Sequence, residues 1–308
     1  ELVTVIDGDI TDASLEERLK DLSFDTIVNA AACVKHFASD DSIERINVTG
    51  VKNLIEIAKK KKARLVQVST LSVAGENIDH AFDENTRIKE NQLYFGQDLS
   101  NKYAHSKFDA EEAMLKEMDK GELDGKIVRV GNLMSRQSDG EFQINSGTNA
   151  FMRNLRGYKA LGKFPFAGMD KKIDFSPIDE TAKTILLLAK TPQKFTVFHS
   201  YNSHQVQMGD VIAAMNEVGI PIETVDQKPF YMAIQEAMKD PSLAAAISPL
   251  FSYASGDGHS HEFIQADQTF TIKALYRLGY RWPITDFTYL KQAIESLESL
   301  GFFEREDI

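Results

Sequence analysis

The stretches Arg64-Leu-Val-Gln-Val-Ser-Thr70 and Tyr103-Ala-His-Ser-Lys107 decide how this 308-residue chain is read. The first reads as a strand over residues 64–69, with Leu-Val-Gln-Val-Ser at its heart and Thr70 at its carboxyl end. The second lies within residues 101–118, which read as a helix. Four residues on a helix make a little over one turn, so Tyr103 and Lys107 leave the same face. An ammonium beside a phenol favours the phenolate, and the phenol's ordinary pKa of ~10 is expected to fall toward neutrality. With the Thr70 hydroxyl on a neighbouring element, the set suits giving a proton to an oxygen while a hydride arrives at the adjoining carbon. A Tyr-x-x-x-Lys spacing also occurs by chance on exposed helices. The order of the segments around it favours the chemical reading.

Upstream, residues 2–6 are expected as a strand ending in Gly8-Asp9, and residues 13–19 as a short helix. Residues 26–29 are expected as a strand running into Ala30-Ala31-Ala32. Residues 42–60 read as a long helix, with apolar positions at Ile43, Ile46, Val51, Leu54, Ile55 and Ala58. Residues 126–130 form a further expected strand. Such alternation implies right-handed crossovers and a parallel sheet. Ligands of these sheets bind at the carboxyl ends of the strands, where Asp9, Asn29, Thr70 and Gly131 all fall.

Beyond Asn132 the pattern loosens. Residues 135–147 read as a loop, 149–157 as a helix, 180–190 as a helix led by Ile173-Asp-Phe-Ser-Pro-Ile-Asp179, and 195–200 as a strand. After Met208 helices dominate, punctuated by Pro221, Pro229, Pro241, Gly256 and Gly279. The expected division is a first domain over residues 1–200 and a smaller, mostly helical substrate-facing domain over 201–308. Met208, Phe230, Tyr231 and Met232 read as core, with an acyl channel as the alternative.

Composition narrows the partners. The chain carries 43% hydrophobic and 26% charged residues, as ordinary globular proteins do. Its net charge of −11 and lack of a basic half argue against nucleic acid and anionic membranes. The basic run Lys59 to Lys62 with Arg64 sits at an expected helix end, where cations suit the dipole. Cys33 is the single cysteine, so no intrachain disulfide forms, which fits a cytoplasmic location. No apolar run approaches the ~20 residues of a membrane span. The histidines show no metal-ligand spacing, and no metal is expected; His259 and His261 are expected in a solvated Gly/Ser-rich loop.

Asp9 after a strand, Asn29-Ala-Ala-Ala32, Asn47-Val-Thr-Gly50, Ser69-Thr-Leu-Ser-Val73, Tyr103-x-x-x-Lys107 and Arg129-Val-Gly-Asn132 occur in the order of the extended short-chain dehydrogenase/reductases. More narrowly, the chain resembles the thioester reductase domains that end some nonribosomal peptide synthetases, relatives of carboxylic acid and aminoadipate reductases. Ile173-Asp-Phe-Ser-Pro-Ile-Asp-Glu-Thr-Ala182, Leu278-Gly-Tyr-Arg-Trp-Pro283 and Leu300-Gly-Phe-Phe303 carry the narrower likeness. A small synthetase whose dipeptide aldehyde cyclises to a pyrazinone is the narrowest form of this expectation.

The resemblance implies an α/β fold with a Rossmann-like doubly wound parallel sheet and a smaller helical C-terminal domain. It implies NADPH-dependent release of a peptidyl or acyl thioester as an aldehyde, or onward to an alcohol. The implied partner is a phosphopantetheinylated peptidyl carrier domain. Thr70, Tyr103 and Lys107 would be catalytic. Asp9, Ile10, Asn29, Ala30, Ala31, Tyr103, Lys107, Gly131 and Asn132 would contact the cofactor. Bland alternatives stand beside these roles: Asp9 as a turn aspartate, Ala30 and Ala31 as small residues in a buried turn, Asn47 as a helix cap, and Asp179 and Glu180 as caps of the following helix.

There are departures from the family pattern. Asn29 stands where the family usually has His, and Phe108 where it has Trp. The glycine-rich first turn that approaches a dinucleotide pyrophosphate is not found, so the expectation is a sheet lacking its N-terminal βαβ part. Two other readings remain open. One is an extended short-chain dehydrogenase acting on a free small molecule, as a nucleotide-sugar epimerase, dehydratase or ketone reductase does. The other is a non-catalytic NADP-sensing binding protein. The helical last third argues against the former, and the complete Thr70, Tyr103 and Lys107 set against the latter.

Overall fold

In the computed structural model, which describes residues 3–34, 40–78, 81–83, 85–143, 149–251 and 261–304, the strand expected over residues 64–69 runs Arg64–Thr70. Its apolar residues are buried on both faces, with Leu65 and Val66 at 0% exposure. We label the four parallel strands of the main sheet β1 (Thr26–Asn29), β2 (Arg64–Thr70), β3 (Gly125–Val130) and β4 (Val197–Ser200), which lie side by side in that order. The α/β class and parallel sheet are as expected.

β3 is buried along its whole length although it contains Lys126 and Arg129. Buried cations require partners. The Lys126 ammonium donates to the carbonyls of Pro192 (2.7 Å) and Phe195 (2.5 Å), and burial lowers its pKa to about 8.

The expected helix over 42–60 is continuous but not uniform. It opens as Ser42–Glu44, widens into a π turn at Arg45–Thr49, and continues as Gly50–Lys61. Such a turn inserts an extra residue and is common at functional sites; here it holds the buried Asn47. Within the basic run Lys59 pairs with Glu117 and Glu122, Lys60 pairs with Glu16, and Lys61 donates to the carbonyls of Lys20 and Leu22. Helices Gly50–Lys61 and Lys102–Asp119 join the sheet in a core that includes Val51, Leu54, Leu65, Met114 and Ile127.

Three expectations are corrected. Residues 3–6 form no strand, and Val3 and Val5 are 72% and 87% exposed. A strand exists only with a ladder partner, and among the described residues β1 pairs with β2 alone. His261, expected in a loop, begins the strand His261–Phe263, antiparallel to Glu76–Ile78; His259 lies outside the described residues. The single boundary after residue 200 differs from the division seen. One unit comprises residues 1–131, 183–200 and 260–281, and the other 132–182, 201–259 and 282–308.

The second unit is built on helices Ala150–Leu161, Met208–Glu217, Gln227–Ala237, Pro241–Ile247 and Phe287–Ser299, with short two-stranded ladders. Met208 and Phe230 lie in its core, whereas Met232 is 60% exposed. Asp179 accepts from the backbone N–H groups of Glu180, Gln137 and Ser138, so it pins a loop as well as its own helix.

Asp174 in this unit accepts from Ser176 Oγ (2.7 Å) and the Asn132 backbone N–H (2.7 Å). Burial nevertheless raises its pKa to about 6. A carboxyl whose folded value exceeds the unfolded ~3.9 disfavours the fold once ionised, so stability falls as pH rises from about 4 through 6. Asp174→Asn keeps an acceptor for Asn132 and can donate to Ser176 Oγ. We expect its melting temperature to exceed the parent's at pH 7.5, with the gap shrinking at pH 4.5. A gap that is absent, or that grows on acidification, would contradict the raised value.

Candidate active site

Thr70 ends β2 and Tyr103 lies in the first turn of helix Lys102–Asp119. Asn101 caps that helix, its side chain accepting from the N–H groups of Tyr103 (3.0 Å) and Ala104 (3.2 Å). The cap fixes where the helix begins and therefore where the phenol stands. Thr70 is itself a cap: its Oγ1 accepts from the Ser72 N–H (3.1 Å) at the start of the 3-10 turn Leu71–Ala74 and donates to Ser72 Oγ (3.1 Å). The Tyr103 phenol hydrogen-bonds to the Thr70 side chain. Two hydroxyls from two elements thus meet, as the sequence suggested, with Ser72 beside them.

Gly75, which follows that 3-10 turn, allows the chain at residues 97–98 to approach closely. It has φ +70°, and a Cβ there would lie 2.2 Å from the Asp98 carbonyl oxygen. Ser72, Gly75, Asp98, Asn101 and Tyr103 line a cavity of about 70 Å³.

Lys107 is buried one turn further along, and its Nζ donates to the Val68 carbonyl (3.0 Å). Burial lowers its pKa to about 8, and the charge of Glu111 opposes the drop. Tyr103 departs from expectation. Burial raises its pKa and the Thr70 hydrogen bond lowers it, with a net rise. The expected depression by Lys107 does not operate because the phenol is turned to Thr70 and the ammonium to the Val68 carbonyl. The phenol therefore stays protonated at neutral pH, the form a hydrogen-bond donor needs.

Asn29 is buried at the end of β1. Its Nδ2 donates to Gln67 Oε1 on β2 (2.8 Å) and its Oδ1 accepts from the Ala31 N–H (3.1 Å). Asn29 thereby shapes the turn after β1, whose Ala30 and Ala31 are exposed rather than buried. Asn47 binds both the N–H (2.8 Å) and the carbonyl (2.9 Å) of Cys33 and donates to Ser106 Oγ (2.9 Å) on the Tyr103 helix. It ties two segments to that helix rather than capping its own.

The remaining candidates have other hydrogen-bond and packing partners. Asp9 is exposed and engages the Thr11 N–H (2.8 Å), which holds its carboxyl below the usual range. Ile10 packs on Gly50, and its carbonyl accepts from Asn53. Gly131 directly follows β3, and Asn132 begins the second unit. Ser72, Gln67, Glu111 and Arg129 were not singled out from sequence. Ser72 was readable from its spacing in Ser69-Thr-Leu-Ser72; the other three show themselves only once strand register is known.

Comparisons with known proteins show what the chain as a whole is similar to. A family model of NAD-binding proteins, described as male sterility protein, matches residues 1–185. A linear gramicidin synthase from Brevibacillus parabrevis is 29% identical over 250 residues, covering 77% of this chain and 4% of that protein. A thiolation-reductase di-domain from an archaeal nonribosomal peptide synthetase superposes with a TM-score of 0.84 at 41% identity, over 96% of this chain and 62% of that one. The reductase domain of the aureusimine biosynthetic cluster gives 0.75 at 26% identity, over 91% and 71%. The chain therefore spans under two thirds of the gramicidin synthase polypeptide and of the di-domain.

Asn47→Ala would leave the Cys33 N–H and carbonyl buried without partners. Each such loss costs about 1–3 kcal/mol, so we expect the variant to be destabilised by about 2–4 kcal/mol in urea unfolding. A loss below about 0.5 kcal/mol would mean that Asn47 does not hold the segment.

Proposed function

The chain belongs to the male sterility family of NAD-binding proteins, and from that premise we propose that it is a nicotinamide-dependent reductase domain acting on a thioester. The observation that carries the reading is the meeting of the Thr70 and Tyr103 hydroxyls at the carboxyl end of β2, with Lys107 one turn away. The likeness to a gramicidin synthase and to two reductase domains supports an acyl or peptidyl chain on a carrier domain as substrate.

NADPH is the proposed cofactor and supplies the hydride when bound. The residues fit a dinucleotide in an observable respect. Ala30 and Ala31 are exposed after the buried Asn29 and offer only methyl groups, so a ligand can approach the backbone closely. Asp9, Ile10, Gly131 and Asn132 are the further proposed contacts, and Lys107 holds the ribose.

Thr70 and Tyr103 donate hydrogen bonds to the thioester carbonyl oxygen. Both strengthen as negative charge develops there, which lowers the barrier. Tyr103, kept protonated by burial, passes its proton to that oxygen. Collapse of the resulting thiohemiacetal re-forms a carbonyl, releasing an aldehyde and the carrier thiol.

The test uses the full-length protein, offered an acyl-pantetheine thioester, a nucleotide sugar and a ketone, each with NADPH and with NADH. Consumption of NADPH with the thioester alone is the expected result. Tyr103→Phe keeps packing and is expected to lose roughly 10²–10⁴-fold in turnover. Thr70→Val is expected to lose about 10²-fold or more, with Thr70→Ser restoring much of it. Turnover of the phenylalanine variant within about twofold of the parent would remove Tyr103 from the chemistry.

A further inference from the structure

We propose that Glu111 is a positioning residue for Thr70 and Lys107, holding the end of β2 through Ser69 and keeping the Lys107 ammonium charged. The inference rests on the reductive reading above. Tyr103, Lys107 and Glu111 follow one another at four-residue steps, so the stripe that carries the first two continues into the third. Glu111 is at 0% exposure, although its neighbour Glu112 lies at the surface against Lys116.

Its partners come from the sheet. Ser69 Oγ donates to Glu111 Oε1 at 2.5 Å, and Arg129 donates to Oε2 from Nη2 (2.7 Å) and Nε (3.0 Å). Ser69 stands opposite Arg129 in the β2–β3 register, and Arg129 opposite His199 in the β3–β4 register. The Arg129 Nη1 lies 3.0 Å from His199 Nε2, and His199 Nδ1 lies 2.6 Å from the Asp267 carbonyl. Burial, with Arg129 beside it, lowers the His199 pKa to about 4, so the ring is neutral. Arginine can only donate, which makes Nε2 the acceptor and Nδ1–H the donor to Asp267.

A buried ion pair is a weak stabiliser, because desolvation offsets most of its attraction. What this pair does supply is geometry. Ser69 is the residue before Thr70, so the 2.5 Å bond fixes the strand end whose hydroxyl meets Tyr103. It also supplies charge. Among the described residues, the ionisable groups on the elements packed around Lys107 are Tyr103 and Glu111 on its own helix, and Arg129 on β3 with His199 behind it on β4. β2 presents the Val68 carbonyl, Ser69 and Thr70, and the π turn presents Asn47, with Glu44 and Arg45 exposed. Lys59 on helix Gly50–Lys61 is occupied by Glu117 and Glu122. Among them Glu111 is the group that opposes the burial of the ammonium.

The sign follows from that. Removing the carboxylate lowers the Lys107 pKa below about 8, so a function that needs the ammonium is lost at lower pH. The test is Glu111→Gln alone and Glu111→Gln with Arg129→Gln, the double variant leaving no unpaired buried charge if the single one folds poorly. In the full-length protein, the alkaline limb of kcat with NADPH and an acyl-pantetheine thioester should move down by about one pH unit. The lysine 13Cε titration, assigned with Lys107→Met, should move with it. Ser69→Ala, which keeps the charge, should lower kcat severalfold with KM unchanged and the limb in place.

An unmoved limb and titration in Glu111→Gln against the parent, or in the double variant against Arg129→Gln alone, would overturn the charge role, and unchanged kcat in Ser69→Ala the placement role. If the parent does not consume NADPH with the thioester, the reading of function fails instead, and the 13Cε titration still decides the role of Glu111.

Discussion

The register of β2 against β3 is the constraint on which the site depends. Pairing Ser69 with Arg129 and Thr70 with Val130 puts a guanidinium beneath the last turn of β2. A guanidinium in a fully buried strand cannot stand without a carboxylate, and Glu111 on the covering helix supplies it. Once that pair is formed, the helix cannot slide or rotate without separating them. Its first turn, carrying Tyr103, is then held near Thr70. A shift of one residue in the register would put Arg129 on the face of the sheet opposite Ser69 and dissolve the arrangement.

Polar rows across the sheet extend the same logic. Asn29 and Gln67 face each other across β1 and β2 and are hydrogen-bonded. Gln67 also donates to the Val68 carbonyl, which in turn accepts from Lys107. The exposed Ala30–Ala31 turn is thus linked through buried amides to the lysine of the Tyr103 helix. These groups satisfy one another, which is why such polarity is tolerated inside a buried sheet.

Much of the fold was legible in the sequence. Thr26–Asn29 and Arg64–Thr70 announce themselves through apolar runs with turn residues after them, and the helix around Tyr103 through its spacing. The approach of Thr70 to Tyr103 was legible as well, because strand ends and crossover helices meet at one edge of a parallel sheet. What local pattern misled was the environment. Residues 3–6 have strand composition but no ladder, and composition cannot supply a partner. Glu111 looks like any surface glutamate in Phe-Asp-Ala-Glu-Glu; only register shows that it faces a buried arginine. The chain's repeated passage between its two units is likewise set by long-range contact, which periodicity does not encode.

The Tyr103 phenol shows how environment changes the chemistry that residue types suggest. Spacing alone argued for a phenol acidified by its lysine. In the fold, each group first satisfies a nearer partner, Thr70 for the phenol and the Val68 carbonyl for the ammonium. Burial then acts in opposite directions on the two, raising the phenol and lowering the lysine. Both shifts favour the neutral forms, so the phenol's proton is retained and the ammonium's is loosened. For a group that must donate to a carbonyl oxygen, retention in the ground state is the useful condition. In the proposed reaction the charge that makes transfer favourable arises on the substrate oxygen itself, to which Thr70 and Tyr103 are proposed to donate.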